Sequence, residues 1–376
     1  MSPADGAVVV VGAGAAGLAA AATLARAGEH PIVLEAGESV GGSWARRYDR
    51  LHLHTVRRFS GLPFRPLPRT LPSYVPKDAY ARYLAEHADA EGLDIRLGQR
   101  VERIEREGSH WLVRSDDTSL VAEAVVVATG KHDRPFTPSW PGLDSFRGRL
   151  LHSANYRTGS RFADEHVLVV GLGNSGAEIA ADLVEAGAAS VTVSIRTPPP
   201  IVRRQILGIP TQVFGIALAP FPPRAVDRAA SVLRRLGTGD LTRYGIGPAA
   251  WGAFEARRPP VIDVGFLAVL KRGAVRIRSG VERLTETGVV FADGREERFD
   301  AIVAATGFTS GLLDLLDAPD VVWSDGMPAI GADGSSAAPG LFFIGLRESP
   351  RGALYEAGRT ARRLAPAVAA YVRGGP

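Results

Sequence analysis

One glycine fingerprint occurs twice in this chain, as Gly12-Ala13-Gly14-Ala15-Ala16-Gly17 and as Gly171-Leu172-Gly173-Asn174-Ser175-Gly176. A Val-rich run leads into each copy, Ala7 to Val11 and His166 to Val170, and an Ala-rich run leads out. That order of strand, tight turn and helix sets a dinucleotide pyrophosphate against a helix N-terminus. The first glycine makes the turn, the second lets backbone approach the phosphates, and the third lets helix and strand pack closely. One fingerprint holds one pyrophosphate. Two therefore imply a pair of dinucleotides, most simply a flavin and a nicotinamide. The expected fold class is α/β with two Rossmann-like dinucleotide-binding domains.

The strand ends refine this. The first helix is read from about Ala15 to Ala27, stopped by Gly28, and the next strand from Pro31 to Leu34. Glu35 closes that strand, about 20 residues after the glycines, where a carboxylate accepts hydrogen bonds from a ribose diol. A solvated strand-end acid is the plainer alternative. In the second unit, helix near Ser175–Ala186 and strand Ser190–Ile195, the matching residue is Arg196. A carboxylate there would repel a 2′-phosphate, whereas a guanidinium pairs with it. The second site is therefore expected to take NADPH over NADH, unless Arg196 is one more surface arginine.

Composition excludes other chemistries. The 376 residues are enough for two domains with buried cores. There is no cysteine, which removes disulfides, thiolate-bound zinc, iron–sulfur clusters and the Cys-x-x-Cys pair of a flavin disulfide reductase. The net charge of +4 is small for this length, and basic residues are scattered rather than gathered into runs. Nucleic acid is thus not an expected partner. No stretch approaches the ~20 apolar residues of a membrane span. The N-terminus carries no signal-like segment, so the expectation is a cytoplasmic protein without a membrane partner. A homodimer is left open.

The expected layout inserts one domain into the other: a first FAD-binding part at 1–145, an NADPH-binding domain at 146–296, and the rest of the FAD domain at 297–376. The linker Arg134-Pro135-Phe136-Thr137-Pro138 marks the first crossing. Ala128-Thr129-Gly130 is echoed by Ala305-Thr306-Gly307, each closing an apolar run. Such small residues let backbone cross close to a cofactor. Val40 to Pro76 is irregular and rich in Gly, Pro, Arg and His, as functional loops are. Within it Gly42, Ser43 and Trp44 follow Glu35 closely, where backbone would meet the flavin's phosphates or ribityl chain. His52 and His54 alternate on one face. They are either structural or flavin-proximal, and no third metal ligand lies nearby, so no metal is expected. Thr197 to Pro260 reads as Pro-rich and largely unpatterned, and Asp293-Gly294 signals a hairpin. A surface helix is expected over Arg359–Arg373.

The segment Phe146-x-Gly148-x-x-x-His152-x-x-x-Tyr156, placed between two fingerprints, resembles the signature of class B flavin monooxygenases. Within that class the chain is similar to the plant YUCCA-type enzymes. The likeness lies in Tyr48-Asp49-Arg50-Leu51-His52-Leu53-His54, Leu62-Pro63-Phe64, the second fingerprint with Ala177-Glu178, Pro259 to Gly265 and Asp300 to Phe308. It implies FAD on the first fingerprint and NADPH on the second, and adds Ala36, Val101 and Leu354 to the FAD contacts. It also implies a small-molecule substrate and O2, captured by reduced flavin as a C4a-(hydro)peroxide. Oxidative decarboxylation of a 2-oxo acid such as indole-3-pyruvate is the leading expectation. N- or S-oxygenation of an amine or thioether, or Baeyer–Villiger oxidation, is the alternative. His54 matches a position beside the flavin's reactive edge, and His152 and Tyr156 fall at the domain hinge. These are the catalytic candidates. Leu172 departs from the cysteine usual in the plant proteins, and Pro198 to Pro260 matches only in patches.

Overall fold

Runs of valine bounded by glycine favour central parallel strands, because a strand covered on both faces has no polar side to show. The computed structural model, which describes residues 8–116, 118–318, 320–323 and 326–374, has two such sheets. In the first, the strand order is Leu341–Phe343, Ala124–Val127, Val8–Val11, Ile32–Leu34 and Asp94–Arg96, all parallel. In the second it is Val275–Arg278, Ser190–Ser194, His166–Val170, Ala301–Ala304 and Arg149–His152, again all parallel. Each fingerprint strand is the middle one of its sheet. On one side lies the strand ending in Ala-Thr-Gly and on the other the next strand of its βαβ unit.

The helices follow the fingerprints. Ala15–Arg26 buries Leu18, Leu24 and a row of alanines, and packs on the C-terminal helix Ala353–Gly374. That helix turns Leu354, Ala357, Ala361, Leu364, Ala365, Val368 and Ala369 inward and leaves its arginines outward. Asn174–Glu185 covers the second sheet with Ile179, Ala180, Ala181 and Leu183. The chain crosses between the sheets twice. Arg134–Pro135 and Phe308–Thr309 lie antiparallel to each other, so the crossings form one two-stranded hinge.

Several expectations shift. Ala301–Ala304, on the FAD side of the expected 296/297 boundary, pairs instead with Val167–Val170 in the second sheet. The chain returns to the first sheet after this strand, through Phe308–Thr309. The stretch from Thr197 to Pro260 holds two helices, Thr211–Leu218 and Pro223–Thr238, where no pattern was expected. The second begins on Pro222 and Pro223, since proline at the first helical position has no amide to waste. A strand at Val101–Glu107 also went unread, because only Ile104 in it is buried among alternating charges. The C-terminal helix starts at Ala353 and is half core rather than purely surface. No helix among the described residues is long and apolar enough to cross a membrane.

Leu364 is fully buried between the C-terminal helix and the first core. Replacing it in Leu364→Ala should cost about 2–5 kcal/mol of unfolding free energy, measured by urea titration. A cost under about 1 kcal/mol would show that the terminal helix is not part of the first domain's cooperative core.

Candidate functional site

The two fingerprints build the same cradle. Gly12 has φ +107° and Gly171 φ +103°, a region that L side chains rarely enter. A Cβ on Gly12 would fall 2.8 Å from the Ala128 carbonyl oxygen, and one on Gly171 would fall 2.6 Å from that of Ala305. The third glycines are tighter still: a Cβ on Gly17 would meet the Gly12 oxygen at 1.8 Å, and one on Gly176 the Gly171 oxygen at 2.1 Å. Around Gly14 and Gly173 no described atom lies within 4 Å of such a Cβ. Both second glycines thus face open space at a helix N-terminus, the place a pyrophosphate takes.

Around the first cradle, Glu35 accepts from the Ala13 amide at 2.7 Å and the Gly37 amide at 2.8 Å, one through each oxygen. Thr129 Oγ1 is buried without a partner beside the crossing, and Gly130 follows with φ +83°. Ala15 opens the helix, Ala16 packs toward Gly345, and Ala36 is exposed. Gly42 and Ser43 lie in a short helical turn whose preceding Gly41 donates to the Ala13 carbonyl at 3.2 Å. Trp44 stands edge-on to Tyr80 at 4.9 Å and packs against both the first and the second core. Val101 is half-buried on its strand, and Leu354 lies in the first core.

At the second cradle, Asn174 Oδ1 accepts from the Ile262 amide at 2.7 Å, which ties the helix start to the Val261–Asp263 strand. Arg196 is exposed at the rim of a cavity of about 300 Å³ whose lining includes Gly245, Ile277, Arg278, Ser279 and Arg295. Arg278 is matched by Glu297 and Arg295 by Asp293. Among the described residues Arg196 pairs with no carboxylate.

Between the cradles runs Tyr48 to His54, with Tyr48 and Leu51 in the second core and Leu53 in the first. The segment grips the second fingerprint helix through acids spaced by one and two helical turns. Arg50 Nη1 lies 3.6 Å from Asp182 and 3.0 Å from Glu185, and His54 Nε2 bonds Glu178. The Glu178 side chain is only 2% exposed. A carboxylate only accepts, so His54 Nε2 donates to Glu178. His52, by contrast, places Nδ1 on the Arg50 carbonyl at 2.8 Å.

His152 stands at the hinge, whereas Tyr156, expected there too, lies in the second core; the polar atoms of both are already engaged. His152 Nε2 donates to the Gly307 carbonyl at 2.9 Å while Nδ1 accepts from the Ala154 amide at 3.1 Å. Its ring meets Phe308 edge-on at 4.9 Å, and the Arg47 guanidinium sits 5.0 Å from that phenyl ring. Burial lowers the His152 pKa. The Tyr156 hydroxyl donates to Asp182 at 2.6 Å, and its ring stacks on Phe162. Burial first, and then Asp182, push its pKa up. Sequence reasoning missed Asp182 as Tyr156's partner and Glu178 as His54's. Their signal was carboxylates at i and i+4 in an otherwise apolar Ala-rich helix.

A family model described as pyridine nucleotide-disulphide oxidoreductase matches residues 9–205. The disulphide in that description has no counterpart in a chain without cysteine. The chain is 38% identical over 353 residues to a YUCCA-type indole-3-pyruvate monooxygenase from Oryza sativa subsp. japonica, spanning 90% of this chain and 86% of the relative. It is similar to a flavin-containing monooxygenase from Stenotrophomonas maltophilia at TM-score 0.76 and 27% identity, over 97% of this chain and 98% of that one. The OTEMO complex with FAD and NADP shares the fold at TM-score 0.76 and 20% identity, over 100% of this chain and 87% of that one.

Because the folded pKa of His152 lies below that of the unfolded chain, the unfolded state binds its proton first on acidification. The stability it contributes is full above about pH 6.5 and falls as pH drops through the lower folded value. His152→Gln, which keeps a donor and an acceptor but cannot titrate, should flatten the slope of unfolding free energy with pH below about 6.5. An unchanged slope would show that this imidazole does not carry the effect.

Proposed function

The chain belongs to the YUCCA-type flavin monooxygenases, and from that premise we propose that it oxidatively decarboxylates a 2-oxo acid, with indole-3-pyruvate the leading candidate. It is an NADPH-dependent flavin monooxygenase whose cofactors are FAD and NADPH. The observation that carries the substrate class is the identity with named indole-3-pyruvate monooxygenases across most of both chains. In the proposed reaction, one atom of O2 enters the new carboxylic acid and the other leaves as water. NADPH and a proton supply the reducing equivalents, and the bond between the two carbonyl carbons breaks with loss of CO2.

Bound FAD supplies the two-electron chemistry that activates dioxygen, with electrons from NADPH. The protein's part is to hold, orient and exclude water. Gly14 and the start of the Ala15–Arg26 helix would take the FAD pyrophosphate, and Glu35 would exchange its backbone amides for a ribose diol. Gly42, Ser43, Thr129 and Gly130 would close over the same cofactor. Gly173, Ser175 and the Asn174–Glu185 helix start would take the NADPH pyrophosphate, with Asn174 bracing the neighbouring strand. Arg196 would meet the 2′-phosphate at its cavity rim. His54, held by Glu178, presents a fixed imidazole at the domain junction. Trp44, packed against both cores, shields that junction from water. His152 would hold the hinge and Tyr156 the fingerprint helix of the second domain rather than touch substrate, since their polar atoms are spent on Gly307, Ala154 and Asp182.

Arg196→Ala should lower the NADPH-over-NADH ratio of kcat/KM by about 10- to 100-fold, the worth of a lost charged hydrogen-bond pair. An unchanged ratio would remove Arg196 from the site. With labelled dioxygen and indole-3-pyruvate or phenylpyruvate, the product acid should gain one labelled oxygen and CO2 should appear in equal amount. No CO2 from either acid, with labelled oxygen instead entering an amine, thioether or cyclic ketone offered in parallel, would replace this reading with one of simple oxygen insertion.

A further inference from the structure

Arg204 is a cation drawn partly inside the protein without an anion to match it. It sits between the short strands Ile201–Arg203 and Gln205–Ile206. Its guanidinium carbon lies 3.6 Å from the centroid of the Tyr74 ring, and Nη2 donates to the Leu53 carbonyl at 2.6 Å. The Arg204 carbonyl accepts from the Tyr74 hydroxyl at 3.2 Å and from the Thr211 amide at 3.0 Å, so its backbone is pinned as well. Nε is buried with no partner, and among the described residues the group pairs with no carboxylate. Arg50 and Arg278 show the contrast, since each has its acid. A partly desolvated charge left unpaired is unfavourable, and natural sites keep such a group where a ligand completes it.

Its neighbourhood says which ligand. Leu53 is the residue before His54, so the guanidinium lies one peptide from the imidazole that Glu178 holds at the domain junction. Glu178 is the nearby acid, but it is turned to His54. The Tyr74 ring covers the face of the guanidinium, and the Leu53 carbonyl uses one corner. Nε is left without a partner beside them, and a guanidinium with donors to spare is the group that takes a carboxylate through parallel hydrogen bonds.

We propose that Arg204 recognises the carboxylate of the substrate, so that this site selects an anionic 2-oxo acid over a neutral ketone, amine or thioether. The assignment rests on the 2-oxo acid reading above and supplies its specificity-determining residue. Tyr74 and the Leu53 carbonyl fix the plane of the fork. A lysine there would keep the charge and lose the paired geometry.

The test measures equilibrium binding of phenylpyruvate and of its methyl ester to the FAD-loaded protein, for the wild type, Arg204→Gln and Arg204→Lys. The wild type should bind the acid at least about 30-fold more tightly than the ester, as truncation of charged pairs elsewhere suggests. Arg204→Gln should bring that ratio to within about 3-fold, and Arg204→Lys should fall between. Acid and ester are compared on the same protein, so loss of some folded material leaves the ratio intact. If Arg204→Gln fails to load flavin, the drop in Arg204→Lys decides. A wild-type ratio near one, or a wild-type ratio retained in the variants, overturns the proposal. CO2 release is read separately. Acid selectivity that depends on Arg204 without CO2 from any 2-oxo acid sinks the decarboxylation reading and leaves this site standing. CO2 release with selectivity untouched by the substitutions does the reverse.

Discussion

The absence of a side chain where Gly12 meets the Ala128 carbonyl, repeated where Gly171 meets that of Ala305, is the constraint on which the rest of the molecule depends. At each place two stretches of backbone come closer than any Cβ allows. The contact presses the end of the Ala-Thr-Gly strand against the glycine turn, and it clears the approach to Gly14 and Gly173. The same strands then leave their sheets as the two halves of the hinge. Cradle and hinge are therefore one construction, and a change in the angle between domains acts at the cradles' own rims.

A second joint lies on the fingerprint helix Asn174–Glu185. Its start faces the NADPH cradle, and its acids Glu178, Asp182 and Glu185 reach the Arg50–His54 segment that follows the FAD cradle. Breaking either side would strand a partly buried charge, which costs more than the intact pair contributes. These contacts consequently specify one arrangement of the domains more than they add stability. They also place His54, Tyr48 and Arg204 around a single junction.

Much of this was legible along the chain. The fingerprints, both Val-rich strands, Glu35, Arg196 and the hinge linker stand in the sequence because each depends on local spacing. Other features were hidden for definite reasons. Pro223–Thr238 keeps an apolar stripe, yet Val232 and Leu233 are more than half exposed, so its periodicity does not report a core. Val101–Glu107 pairs through backbone in a charged sequence. Ala301–Ala304 could sit in either sheet by composition, and only its pairing with Val167–Val170 assigns it.

Sequence alone determined that two dinucleotides must be held, because tight turns and close approaches demand glycine at set intervals, and a Cβ at the first and third of them would collide with backbone. It also determined that no thiol takes part. Tertiary structure decided the identity of the partners: which acid fixes His54, which carboxylate occupies Tyr156, and that the half-buried Arg204 is left without an anion. His54–Glu178 and Arg204–Leu53 join residues 124 and 151 positions apart, and even Tyr156–Asp182 spans 26. Local spacing encodes none of them; the first two arise only when the two sheets are brought together across the hinge, and the third only when the second domain closes on itself.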